Sequence, residues 1–166
     1  MKFFIAGIMQ GSKTEASLYS QNYRQELQSA LLQAFPDSDV YDPLACNENS
    51  LQFTHEVGKA VFMNHNKMCG TDVDAVVAYV PEASMGAAIE MWEAWKNGAV
   101  ILTISPMKIN WVVKFLSDAI YPDIDSFLAA LRCGQVRNLL ESRMPRAKKR
   151  SCDDFIDAAV LNSDQR

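Results

Sequence analysis

The chain has 166 residues and a net charge of −4, with 16 Lys and Arg against 20 Asp and Glu. That length predicts a single domain able to bury a core, and the acidic balance argues against a general binder of nucleic-acid polymers. The apolar share of 49% and charged share of 22% are those of an ordinary soluble globular protein, and no apolar run is long enough to cross a bilayer. The four cysteines, Cys46, Cys69, Cys133 and Cys152, form no CxxC pair, and only two histidines accompany them. This predicts no zinc site and a reduced, cytoplasmic setting.

In chain order, KFFIAGIM (2–9) reads as a buried first strand, although its apolar core also has the look of a short signal-peptide segment. TEASLYSQNYRQELQSALLQAF (14–35) has helical spacing, with Leu18, Tyr19, Tyr23, Leu27, Leu31 and Leu32 on one face. DVYDPL (39–44) is a short strand stopped by Pro43, and ACNENSLQF (45–53) is a polar loop. THEVGKAVFMNHNKMCG (54–70) is a second helix with an expected buried stripe of Val57, Val61, Phe62, His65 and Met68. DAVVAYV (74–80) is apolar throughout, as a central parallel strand covered on both faces would be. Gly86 to Lys96 is a third helix, closed by Asn97-Gly98, and AVILTI (99–104) is a further strand ended by Ser105-Pro106. NWVVKFLSDAI and DIDSFLAALRC are helical segments, with a short strand around Ala119 to Tyr121.

Strand–helix alternation of this kind predicts a doubly wound α/β domain, flavodoxin- or Rossmann-like: a parallel sheet of about five strands with helices on both faces. The expected catalytic domain is 1–142, and 143–166 forms a basic, solvated C-terminal tail.

In such a sheet ligands bind at the carboxyl ends of the strands. Here those ends carry GIMQGS, YDPLACNEN and PEASMG. The first and third lead Gly, Ser and Gln into a helix N-terminus, where backbone N–H groups and the helix dipole favour an anion. PEASMG opens the third helix, and its second turn carries Glu90 among Ile89, Met91 and Trp92. A carboxylate partly desolvated there is a poised nucleophile or acid/base group; the competing reading pairs it with a lysine or leaves it at the surface. Asp74 opens the central strand. His55 and His65 read as packing or capping residues, Met85, Met91 and Met107 as core, and Trp92, Trp95 and Trp111 as packing between helices or subunits. No P-loop, GxGxxG or Ser–His–Asp order is present.

Three segments together, FFIAGIMQGS, DAVVAYVPEASMGAAIEMWEAWKNGAVIL and Asn110 in INWVVKF, resemble the nucleoside 2-deoxyribosyltransferase superfamily over roughly Phe3 to Ser117. The resemblance implies that Glu90 attacks C1′ of a nucleoside sugar and becomes glycosylated, and that Asp74 faces the base and helps protonate it as it leaves. It further implies a substrate cradle of Gly7, Gly11, Ser12, Ser84 and Gly86, with Asn110 reaching the site of a neighbouring subunit. Ser84 stands where transferases of free nucleosides have an aspartate, and so resembles the branch that hydrolyses nucleoside 5′-monophosphates. The arginine common in that branch's phosphate loop is missing, and Lys13 is left to supply the charge. Phe4 stands where deoxy-specific members tend to have tyrosine, which opens the substrate range to ribonucleotides.

The implied function is cleavage of a nucleoside 5′-monophosphate into free base and (deoxy)ribose 5-phosphate, with no metal or organic cofactor. The alternatives are base exchange between free deoxynucleosides and a non-catalytic nucleotide-binding module. The expected partners are a small-molecule nucleotide or nucleoside and a second copy of the chain in a homodimer or larger homo-oligomer.

Overall fold

The computed structural model describes residues 1–11, 13–15, 17–143 and 150. Five strands, β1 (Lys2–Gly7), β2 (Asp39–Tyr41), β3 (Ala75–Tyr79), β4 (Val100–Ile104) and β5 (Ala119–Tyr121), form one sheet in the order β2-β1-β3-β4-β5. Every pairing is parallel. Among the described residues six α-helices connect and follow them: α1 (Asn22–Ala34), α2 (His55–Thr71), α3 (Met85–Lys96), α4 (Trp111–Leu116), α5 (Ile124–Arg132) and α6 (Gln135–Arg143). The expected doubly wound α/β fold is therefore the observed one, in its flavodoxin-like strand order.

Strand alternation sorts the core into two layers. Phe3, Ile5, Ala75, Val77, Leu102 and Ile104 face α1, α5 and α6, meeting Tyr23, Leu27, Leu31, Phe127 and Leu140. Phe4, Ala6, Val76, Ala78 and Ile101 face the opposite layer, meeting Cys69, Met91, Ala94, Trp95 and Leu116. Because both faces are covered, β1, β3 and β4 need apolar residues at nearly every position, which is how their sequences read. Among the described residues four helix starts are fixed by side chains that accept backbone N–H groups: Thr54 before α2, Ser84 before α3, Asn110 before α4 and Asp123 before α5.

Some expectations are corrected. The first helix starts at Asn22, not Thr14. Residues 17–21 instead cross the carboxyl end of β1, where the Tyr19 N–H donates to the Met9 carbonyl at 2.8 Å and Gln21 Nε2 donates to the carbonyls of Ile8 and Tyr19. The stripe on α2 is only partly covered: Val57 and Phe62 are exposed, Val61, His65 and Met68 are half-buried, and Cys69 is the buried residue. Met91 is core, but Met85 is 81% exposed. Helix α6, which the sequence reading leaves unassigned, covers the first core layer with Val136 and Leu140.

Of the basic tail, only Arg143 and Arg150 are among the described residues. Both guanidinium groups lie 3.4 Å from Asp118 Oδ1. No helix among the described residues is long and apolar enough to cross a membrane.

Candidate active site

The strand order reverses between β1 and β3: the chain leaves β1 for β2 on one side and arrives at β3 on the other. The crossovers therefore part at the carboxyl ends of these two strands, where Gly7 and Tyr79 are register partners. A cavity of about 470 Å³ opens there. The loop after β1 gives it Gly7, Met9, Gln10 and Gly11; the segment between β2 and α2 gives Pro43, Asn47, Ser50, Leu51 and Phe53. Helix α2 adds Val61, Phe62 and His65, and the start of α3 adds Ser84, Gly86, Ala87 and Glu90.

Glu90 is placed by the register of α3. Ala87, Met91, Ala94 and Trp95 turn into the core, and Glu90 falls beside that stripe, facing the cavity. Gly86 and Ala87, four and three residues earlier, share its side of the helix and leave the space above the carboxylate open. A Cβ built at Gly86 would meet nothing within 4 Å. Burial raises the Glu90 carboxyl from 4.5 to about 8, with the nearby Arg24 guanidinium working in the opposite direction. The acid is thus held proton-rich and ready to switch near neutrality, the condition of a reactive group rather than of a surface ion pair.

Arg24 and Asp42 form a buried pair beneath the site. Arg24 is 2% exposed and its NH1 donates to Asp42 Oδ1 and to the Ile5 carbonyl, each at 3.0 Å; its Nε donates to Gln21 Oε1 at 2.7 Å. Tyr23 lies alongside, its hydroxyl donating to the Ile8 carbonyl at 3.3 Å and its ring 4.3 Å from that of Tyr79. Burial pushes the Tyr23 phenol up to about 12, so it stays protonated and acts as a donor.

The glycines have distinct local reasons. Gly7 lets the Tyr23 hydroxyl pass directly over the backbone, since a Cβ there would collide with that oxygen and come within 2.9 Å of Tyr23 Cζ. Gly7→Ala is accordingly expected to destabilise the protein by about 1–3 kcal/mol through overpacking, measured by urea unfolding. Gly11 turns at φ +57, and a Cβ would come within 2.8 Å of Ile8 Cδ1 and 2.9 Å of Tyr19 Cε2.

Gly7, Gly11, Ser84, Gly86 and Glu90 are thus brought together in one cavity. Ser84 Oγ accepts from the Ala87 N–H at 3.4 Å, and a hydroxyl that accepts can still donate its own hydrogen. Ser12 lies outside the described residues. Asn110 caps α4, its Oδ1 accepting from Val112 and Val113. It borders a second cavity of about 340 Å³ that shares Gly11, Ser84 and Met85 with the first. Lys13 is directed elsewhere, donating to the Leu18 carbonyl at 3.0 Å with its ammonium 4.5 Å from the Tyr19 ring centre.

Asp74 is not brought to the site. It precedes β3 at the amino end of the sheet, where its Oδ2 accepts from the Lys2 N–H at 2.8 Å. The five residues of β3 separate that end from the cavity by about 17 Å. The expectation that Asp74 faces the base is corrected for that reason: a residue that opens a parallel strand lies at the end opposite the ligand.

Sequence reasoning missed Arg24, Asp42 and the cavity-facing position of His65. A signal for Arg24 exists, because it lies three and seven positions before Leu27 and Leu31 on the buried face of α1; a cation on an apolar stripe implies a buried partner. Among the described residues, no three His, Cys, Asp or Glu side chains gather as a metal site.

No family model matches the chain, and no curated protein matches it. Among solved structures it is similar to the 2-deoxyribosyltransferase of Bacillus psychrosaccharolyticus, with a TM-score of 0.58 and 17% identity over 79% of this chain and 96% of that one. It is also similar to the Clostridium botulinum CMP N-glycosidase BcmB, with a TM-score of 0.46 and 15% identity over 80% of this chain and 98% of that one. At 17% identity the first likeness establishes a shared fold and leaves substrate and chemistry open; the second is too loose a superposition to add to it.

Proposed function

We propose that this chain is an N-glycosidase that cleaves a nucleoside 5′-monophosphate into free base and (deoxy)ribose 5-phosphate through a covalent glycosyl-Glu90. The observation that carries the reading is the position of Glu90: a carboxyl held up to about 8 by burial, in the same cavity as the Ser84-capped N-terminus of α3. The structural neighbour described as a 2-deoxyribosyltransferase supports sugar transfer chemistry on this fold.

The dimensions suit a sugar 5-phosphate. Six residues of helix advance about 9 Å, which sets phosphate at the first turn of α3 and C1′ near Glu90. There the phosphate meets backbone N–H groups and the positive end of the helix dipole, together with the Ser84 hydroxyl. An aspartate at 84 would oppose it: at ~4 Å two like charges cost ~4 kcal/mol at an effective dielectric of 20. In the first step a Glu90 oxygen bonds to C1′ as the C1′–N bond breaks and its electron pair stays with the base. Water then displaces Glu90 from C1′.

Base exchange between free deoxynucleosides is the second reading, favoured by one observation: among the described residues no Lys or Arg lines the cavity. Intact-mass spectrometry of acid-quenched turnover mixtures separates the two. A (deoxy)ribose phosphate adduct on Glu90 supports the glycosidase, whereas an unphosphorylated deoxyribosyl adduct formed only from nucleosides supports the transferase.

We also propose that a second copy covers the open faces of α2, α3 and α4. Met85 is 81%, Ile109 90% and Trp111 77% exposed, alongside Met63 and Phe115, an apolar patch of the kind that marks an interface. That interface would carry Asn110 to the neighbouring site. Trp111→Glu is expected to convert the oligomer to monomer in light scattering; an unchanged mass would place the contact elsewhere.

A further inference from the structure

We propose that His65 is the acid that protonates the leaving base, the role that Asp74 is too remote to fill; this rests on the glycosidase reading above. Glu90 and His65 are the two titratable side chains among the described residues that line the cavity. They stand on different walls, Glu90 on α3 and His65 on α2, so a glycosidic bond set between them would meet the nucleophile on one side and a proton source on the other.

The ring of His65 is held rather than loose. Phe4 and Tyr41 meet it edge-on, with centroids at 5.9 and 5.7 Å. Its Nε2 lies 3.2 Å from the Tyr41 hydroxyl and 3.5 Å from Asn47 Nδ2. Asn47 Nδ2 also donates to the Pro43 carbonyl at 2.8 Å, which identifies that end of the amide as the nitrogen. An amide nitrogen only donates, so Nε2 accepts and the hydrogen of the neutral ring is on Nδ1. A ring held in one orientation by a tyrosine and an asparagine is the arrangement expected of an acid/base group.

The surroundings of the two groups set where a proton rests in the cavity. Tyr41 from β2 and Arg24 from α1 are the titratable and charged groups that act on it, Cys46 lies against Tyr41, and Glu90 from α3 lines the same cavity. Burial, with the Arg24 charge adding to it, lowers the imidazole below its ordinary 6.5, while Glu90 is raised to about 8. Near neutrality the pair therefore holds one proton, resting on Glu90. When that proton passes to His65, one transfer creates both the carboxylate nucleophile and the imidazolium acid. Glu90 then bonds to C1′, the C1′–N pair goes to the base, and the imidazolium proton goes to the same base. In the second half water adds its oxygen to C1′, its proton goes to His65, and Glu90 leaves as carboxylate, which restores the one-proton pair.

The test compares two leaving groups. Base release is measured from the ribo- and deoxyribonucleoside 5′-monophosphates, and p-nitrophenoxide release from p-nitrophenyl ribofuranoside 5-phosphate, whose leaving group needs no proton. The enzymes are wild type, His65→Gln and His65→Ala, with thermal unfolding of each. His65→Gln keeps an N–H donor but cannot transfer a proton. Both variants are expected to lose about 100-fold or more on the nucleotides and to stay within about threefold of wild type on the p-nitrophenyl substrate. The pH profiles should also differ. With nucleotides the wild type falls above about pH 8, as the pair loses its shared proton; with the p-nitrophenyl substrate the rate rises through about pH 8, as Glu90 ionises. Equal losses on both substrates, or none on the nucleotides, would overturn the role of His65. Wild-type silence on both would overturn the glycosidase reading itself.

Discussion

Glu90→Gln is expected to lower base release by about 10⁴-fold or more, and to abolish the covalent adduct, while the fold survives. The amide has nearly the same shape as the carboxyl but cannot attack C1′. The same substitution should stabilise the protein in a pH-dependent way. The folded-state carboxyl titrates at about 8 against an ordinary 4.5, so the folded form holds its proton more tightly than the unfolded chain does. Below about pH 4 both states are protonated and Glu90 costs nothing. Between 4.5 and about 8 the unfolded chain releases the proton and the folded one keeps it, so stability falls as pH rises; above that the penalty is constant. Removing it with glutamine should raise stability by on the order of 4 kcal/mol at pH 8 and by little at pH 4, a trade of stability for function common at active sites. Thermal unfolding at the two pH values checks this, and an equal effect at both would contradict a raised carboxyl.

Arg24→Met is expected to be the most destabilising single change among those considered, at about 3–5 kcal/mol. The guanidinium is 2% exposed and bonds Asp42, the Ile5 carbonyl and Gln21. Its removal leaves Asp42, itself 7% exposed, buried beside the Leu44 N–H without its cation. For a chain of this size the loss corresponds to a drop in Tm of about 10 °C. Pairing it with Asp42→Leu should restore most of the stability, because the uncompensated charge goes too. Activity should not return with it: Arg24 is the charge that holds the Glu90 carboxyl down, so nucleophile formation moves to higher pH. Urea unfolding of the single and double variants measures the first effect, and the pH profile of the double variant the second.

The sheet was legible because burial on both faces forces runs such as VVAY and VILTI, a signal that is local in sequence. Glu90 was legible for the same reason: a carboxylate beside an apolar stripe, preceded by small residues, is a local anomaly. What failed depended on contacts distant in sequence. The stretch 14–21 has helical spacing, but the bond from the Tyr19 N–H to the Met9 carbonyl holds residues 17–21 over the carboxyl end of β1, and periodicity does not record such a bond. Asp74 matched an expected spacing but lies at the wrong end of its strand, which only the direction of β3 reveals. His65 looked like a packing residue because helical phase cannot tell a core from a cavity wall. The Arg24–Asp42 pair joins α1 to the end of β2, and only the closed sheet brings the two together.

The most direct test of the central claim is chromatography of the products from a panel of ribo- and deoxyribonucleoside 5′-monophosphates and the corresponding free nucleosides. The account predicts free base and (deoxy)ribose 5-phosphate from at least one monophosphate, none from the nucleosides, and none with Glu90→Gln. Base exchange among free nucleosides, or release that survives the loss of Glu90, would contradict it.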